Sequence, residues 1–440
     1  MTRVSRGLDR IRVTFDEPGL VANAGLLLVA TLVVRLGLEQ LVDETLSMAG
    51  RTGGARPGRK VLTLVHAMAA GASHIDHADV LRSGSTGKVL SHKVMAPSTL
   101  GTFLRAFTFG HVRQLDKVLG EALRRAWSLG AGPGTDRLVV DVDSTVCEVC
   151  GKHKHGAGFG YTKVLGYHPL LATRASTGEV LHARMRKGQA NTQRGARRFV
   201  EELVARLRRA GATGELVVRF DSGFWSNETI AVLGRLGVRY TMGVRMVKAV
   251  ATAVAGIDET AWRPVPYSCD GEAQVAECPY QGRRLVVRRT RLLGEQLELW
   301  PDWRHFAFLT DLDGDATDVD KFHRHHAVVE LAIRDLKEGA GLEHVPSGHF
   351  FANSAWLVCA VLAHDLVRWT AMLGGTTPAG ELTVAATLRA RFVAVPGRLV
   401  SSSGVPTLRC PQGWPWREQF GRALERLRSL PFAVTHRQRT

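Results

Sequence analysis

The chain has 440 residues, enough for two or three domains and a sizeable core. Its 45% hydrophobic content and mean hydropathy of −0.04 are those of a globular protein, which excludes a disordered or fibrous chain. A formal charge of +17 and a pI near 10.2, carried mostly by Arg, fit a phosphate-rich partner, because Arg contacts phosphate bidentately and releases counterions on binding. Six cysteines (147, 150, 269, 278, 359 and 410) are too few and too scattered for a disulfide framework, so they read as reduced thiols of a cytoplasmic, nucleoid-associated protein. The apolar run Gly25 to Val34 is about half of the ~20 residues a membrane span needs, and Asp9, Asp16 and Glu17 interrupt any signal peptide. No membrane partner is expected.

In chain order, residues 20–49 carry the helical stripe Leu26, Val29, Leu32, Val33 and Leu36. Gly50 to Arg59 reads as a basic loop, and 60–128 as several more helices. Within these, a short segment from Ser91, a turn at Pro97 and a helix capped by Ser98 or Thr99 have the form of a helix-turn-helix. Leu100, Phe103, Leu104 and Phe107 would point inward and Arg105 outward to DNA; an ordinary helical bundle is the plainer alternative. Residues 1–134 are therefore expected to form a helical N-terminal DNA-binding domain.

The Gly130 to Thr135 punctuation opens a second unit. Strands are expected at 137–143, near 165–175 and at 179–186, then a basic amphipathic helix at 192–210, strand 215–221, helix 227–236 and strand 238–245. Three strands, helix, strand, helix, strand is the order of an RNase H-like α/β core, a mixed five-stranded sheet flanked by helices, here 135–245. Residues 246–310 turn β-rich, with runs at Arg284 to Arg291 and Arg304 to Thr310, and read as an insertion domain. Helix 318–338 and the apolar helix 352–373 would complete the core within 311–375. A C-terminal region, 376–440, offers strand-like runs at Arg391 to Val395 and Thr407 to Cys410 and a last basic helix at 415–429.

Three carboxylates carry the chemistry. Asp143 closes the apolar run Leu138-Val-Val-Asp-Val and precedes Ser144-Thr145; Asp221 closes Leu216-Val-Val-Arg-Phe and precedes Ser222-Gly223. Glu330 lies on the later helix, with Arg334 and Lys337 one and two turns on along the same face. Taken singly, an Asp at a strand end is more often a loop cap, and a Glu on a helix a solvated residue. Together, in this strand order, they are the oxygen ligands that two Mg²⁺ or Mn²⁺ ions need for in-line phosphoryl transfer. Asp141 shares a strand face with Asp143, which leaves open whether it assists at the metal site. The chain reads as a nucleic-acid phosphoryl-transfer enzyme.

With these residues in view, the chain resembles the DDE transposases of bacterial insertion sequences, in the superfamily with a β-rich insertion between the second Asp and the Glu. Asp-Ser-Thr at 143–145, Phe-Asp-Ser-Gly-Phe at 220–224, and Glu330 with Leu336-Lys337 resemble the three acidic motifs. Phe15-Asp16, Ala24-Gly25-Leu26 and Met95 to Leu100 are similar to the family's N-terminal region. The family's Glu helix reads Tyr, two residues, Arg, three residues, Glu, six residues, Lys; His323 stands at the Tyr place and His326 at the Arg place here. The resemblance implies catalytic and metal-binding roles for Asp143, Asp221 and Glu330 and a DNA contact at the place of His326, with Arg324 in place of the missing Arg, while Arg334 and Lys337, on the face of Glu330, would hold adjacent DNA phosphates. It implies cut-and-paste transposition through a hairpin, by a homodimer on double-stranded terminal inverted repeats, followed by joining to target DNA. It also implies a Trp that holds a flipped base, with Trp300 the first candidate and Trp303 the second.

Two rivals share the pattern: a nuclease on the same fold that cuts without joining, and an inactive relic that binds ends only. Two other motifs carry less. Cys147, Cys150, His153 and His155 have zinc-ligand types at a spacing too tight for a standard finger. Gly156 to Lys163 lacks the spacing of a phosphate loop.

Overall fold

The computed structural model describes residues 11–151, 153–160, 162–267, 271–292, 303–377, 382–402 and 404–433. Its centre is a nine-stranded mixed sheet, whose strands in chain order are β1 (Leu138–Ser144), β2 (Leu170–Arg174), β3 (Val180–Arg184), β4 (Leu216–Phe220), β5 (Arg239–Val244), β6 (Arg263–Val265), β7 (Gly271–Tyr280), β8 (Arg283–Leu292) and β9 (Arg304–Thr310). Across the sheet they run β6-β7-β8-β9-β5-β4-β1-β2-β3. β1, β2 and β3 form an antiparallel meander, whereas β4 pairs parallel to β1 and β5 parallel to β4. The first and fourth strands are thus neighbours. β1 and β4 read as near-continuous apolar runs because both their faces are covered.

Among the described residues of 246–310, the strands form no sheet of their own. β9 pairs antiparallel with β5, so the hairpin of β7 and β8 lengthens the central sheet outward from its fifth strand. A second departure is the expected strand near 165–175. Pro169, which has no N–H to donate, divides it: Leu165–Tyr167 pairs with Cys147–Glu148 in a small separate sheet, and Leu170–Arg174 joins the main one.

The longer helices are α1 (Leu26–Arg35), α2 (Leu38–Thr45), α3 (Pro57–Ala69), α4 (Pro97–Arg105), α5 (Phe109–Ala126), α6 (Ala196–Ala210), α7 (Asn227–Arg235), α8 (Lys248–Ala255), α9 (Ala316–Arg324), α10 (Val328–Ala340), α11 (Phe350–Gly374) and α12 (Arg417–Ser429). The helical region anticipated over 20–49 is divided at Gly37, whose φ of 60° ends α1 and redirects the chain into α2. α11 is the axis of the molecule. It is long and apolar enough to cross a membrane, but 89% of its apolar window is buried inside the protein, against α1, α3, α4, α5, α10 and α12. One core cluster runs from Leu26 through Phe103, Val140, Phe199 and Trp356 to Leu427. At the C-terminal end, Arg389–Val393 forms a helical turn rather than the expected strand, and the hairpin Gly397–Ser402 with Val405–Arg409 pairs back onto Leu20–Val21.

Candidate active site

The parallel register of β1 and β4 builds the site. Asp141 lies opposite Arg219 and Val142 opposite Phe220, so the next step along each strand brings Asp143 level with Asp221. Side chains alternate along a strand, and both residues therefore leave the sheet on the same face. The Asp143 carboxylate accepts the Ser144 N–H at 2.6 Å, and Asp221 caps a short 3₁₀ turn, accepting the Gly223 N–H at 3.0 Å. This turn packs against the end of β5 at Gly243. A Cβ there would sit 2.8 Å from the Ser222 nitrogen and 3.2 Å from the Asp221 carbonyl carbon, so only glycine lets the strand and the turn approach so closely.

Charge crowds at this strand edge. Burial pushes the Asp143 carboxyl up to about 6, with Asp221 and Glu330 raising it further against the opposing Ser144 N–H and His326. Burial also raises Asp221, opposed by His326, by the Gly223 and Phe224 N–H groups and by Arg245. Glu330 is exposed in the first turn of α10, which packs over β1 and β2. Among the described residues, no three Asp, Glu, His or Cys side chains converge closely enough, as they stand, to hold a metal ion. The donor set nevertheless fits a hard divalent cation: two fixed carboxylates whose mutual repulsion a cation relieves, and a third on a long side chain.

Beneath Asp143 and Asp221 lies an ionic pair that periodicity alone could not assign. Arg219 forks onto Asp141 at 2.6 and 2.8 Å, both side chains being almost fully buried, and its remaining nitrogen donates to the Phe322 carbonyl of α9 at 2.7 Å. Asp141 is thus engaged in the interior. His326, expected at the DNA, is turned inward, with its Nδ1 2.9 Å from Asp141. His323 stacks on Phe308 of β9 with ring centroids 4.1 Å apart, places its Nδ1 2.7 Å from the Thr241 hydroxyl of β5, and is pushed down to about 3 by burial, then by His326 and Arg219. Lys337 donates to the Val146 carbonyl at 2.8 Å and ties α10 to the loop after Asp143. The expected continuous helix 318–338 is two helices, α9 and α10, joined by a 3₁₀ turn at His325–Ala327.

The profile of the family described as transposase DDE domain group 1 matches residues 5–432. The chain belongs to that family. Among seven matching solved chains, the cryo-EM structure of a piggyBac transposase in a synaptic complex with hairpin DNA is 13% identical, with a TM-score of 0.44, covering 89% of this chain and 80% of its own. No curated protein sequence matches.

The remaining predicted positions of this DDE transposase differ in exposure and partners. Arg334 is exposed on α10, and Arg324 is half exposed with Asp320 at 3.4 Å. Arg105 is exposed at the end of α4, whose Leu100, Phe103 and Leu104 are buried. Trp300 lies outside the described residues. Trp303 is half-buried and is covered by the guanidinium groups of Arg289, at 4.5 Å, and Arg291, at 4.6 Å. Arg245, exposed just beyond β5, is a cation near Asp221 that the sequence reading missed; its position after a strand parallel to β4 is the signal that could have found it. In the transposase, Cys147 is buried with its thiol pushed up to about 12, whereas Cys150 is exposed, so the two do not share one environment.

Proposed function

We propose that this DDE transposase moves an insertion sequence by cut-and-paste transposition, cleaving DNA at the element's ends and transferring the 3′-OH to target DNA. The observation that carries this reading is the alignment of Asp143 with Asp221 on parallel neighbouring strands, with Glu330 near enough to raise Asp143. The sheet order β3-β2-β1-β4-β5, with β1–β3 antiparallel and β4 and β5 parallel to β1, supports assignment of an RNase H-like core. Asp143, Asp221 and Glu330 would hold two Mg²⁺ or Mn²⁺ ions. Bound there, the pair supplies activation of the attacking oxygen and charge neutralisation at the leaving one.

The protein's own groups place the DNA. Arg245 and Arg334, exposed on the rim, and Arg324 offer bidentate donors to backbone phosphates. Lys337, although donating to Val146, keeps two further N–H donors for the same purpose. A hairpin intermediate, end binding by a homodimer and base capture by Trp300 or Trp303 belong to the same reading. The strongly basic composition supports a double-stranded DNA partner, with the N-terminal helices, Arg105 included, as end-binding elements. The test is cleavage of DNA carrying the element's own flanking ends with Mg²⁺ or Mn²⁺. Metal-dependent nicks and hairpins, abolished in Asp221→Ala, are expected; cutting that survives the substitution would overturn the assignment.

A further inference from the structure

The segment joining α9 to α10 touches the sheet at three places within five residues. The Phe322 carbonyl accepts from Arg219 of β4, His323 reaches Thr241 of β5 and stacks on β9, and His326 reaches Asp141 of β1. Arg324 and His325, between these anchors, face solvent. Glu330 comes four residues after His326, in the first turn of α10 and on its exposed face. Two turns later on that face, Lys337 is fixed to the Val146 carbonyl. The long acidic side chain is thus bracketed by two anchors, both of which end on β1 or the loop that follows it.

We propose that His326 is a positioning residue: clamped by the buried Asp141–Arg219 pair, it sets the height and rotation of α10 that bring Glu330 to Asp143 and Asp221. The inference rests on the reading of these three carboxylates as the metal-binding set. Asp141 is well suited to the task. Its two oxygens are both held by Arg219, so the carboxylate has one orientation to offer the imidazole, and Arg219 in turn holds α9 through Phe322. Because the side chain of His326 is only 14% exposed and its Nδ1 is committed to Asp141, it works from inside the protein. A group that orients a ligand through one intervening contact changes metal affinity or activity by about 10–100-fold when removed.

The experiment compares wild type, His326→Ala and His326→Asn, whose amide N–H can still reach Asp141. It reads Mn²⁺ affinity of the DNA-free protein by calorimetry, amide exchange of residues 328–334, and binding of end DNA as a function of salt. His326→Ala is expected to weaken Mn²⁺ by about 10–100-fold and speed exchange in the first turns of α10, with DNA affinity and its salt slope unchanged. His326→Asn is expected to recover much of both. Unchanged Mn²⁺ affinity with weaker DNA binding and a salt slope reduced by about one would make His326 a phosphate contact and overturn the proposal. A loss explained entirely by a lower melting temperature, or no recovery in the Asn variant, would overturn it too. If Asp221→Ala cleaves like wild type, the metal-site reading fails, while the exchange result still reports whether His326 holds the helix.

Discussion

At the scale of single residues, Asp143 and Asp141 stand two positions apart on one strand face and have opposite electrostatic lives. Asp141 is satisfied three times over, by both arms of Arg219 and by His326. Asp143 has one backbone N–H and two acidic neighbours, and its carboxyl is pushed up to about 6, chiefly by burial. A carboxyl whose folded pKa exceeds its unfolded value of about 3.9 contributes stability below that value and loses it as pH rises through the folded pKa. Ionised Asp143 therefore weakens the metal-free protein at neutral pH. Asp143→Asn is expected to stabilise the metal-free protein at pH 7.5 by about 1–3 kcal/mol, to give no gain at pH 4, and to abolish cleavage. Urea titrations at the two pH values check this, and destabilisation at pH 7.5 would contradict it. The sequence could nominate both aspartates, since alternation places both on one face. It could not choose between them, because the choice depends on Arg219 from a strand 78 residues away.

At the scale of elements, the legible parts were those with uninterrupted periodicity. β1, β4, β5, α6, α7 and α11 lie within a few residues of where their patterns placed them. The breaks were harder to read, because each is decided by one residue's backbone or by tertiary contacts of its flanks. Gly37 supplies a left-handed turn, Pro169 removes a strand donor, and the 3₁₀ turn at His325–Ala327 follows from the anchoring of its flanks. Glycine 243 shows the same principle at the site itself. Its missing Cβ admits the Asp221 turn, and the atoms a methyl group would strike are backbone, which cannot rotate away. In Gly243→Ala the turn, softer than the strand, must give way and carry Asp221 with it. Since misplacement of a reacting group by about 1 Å can cost 10²-fold, cleavage is expected to fall by roughly 100-fold while end-DNA affinity holds. A Gly243→Ala protein with wild-type rates would show that the turn tolerates the shift.

At the scale of the whole molecule, composition foresaw a basic, globular, DNA-directed chain, but punctuation at Gly130 to Thr135 concealed how the regions share their interior. α11 buries almost its whole circumference, and α1, α3, α4 and α5 supply much of what covers it. Two of its charged residues are also paired across the fold. Arg368 donates to Asp335 of α10 at 2.6 Å and to the Thr177 carbonyl at 2.7 Å, while Asp365 accepts the Val180 N–H of β3 at 2.8 Å. The helix that backs the acidic site is thus the same helix that the N-terminal region covers. Removing residues 1–134 would strip α11 of those neighbours and leave a contiguous apolar face, the kind of surface that drives aggregation. A fragment of residues 135–375 is therefore expected to lack a cooperative urea transition and near-ultraviolet dichroism, although it contains Asp143, Asp221 and Glu330. Adding residues 1–134 as a separate chain should restore both signals if the loss comes from the missing cover. A fragment that unfolds cooperatively by itself would mean that the sheet and α11 hold together without the N-terminal helices.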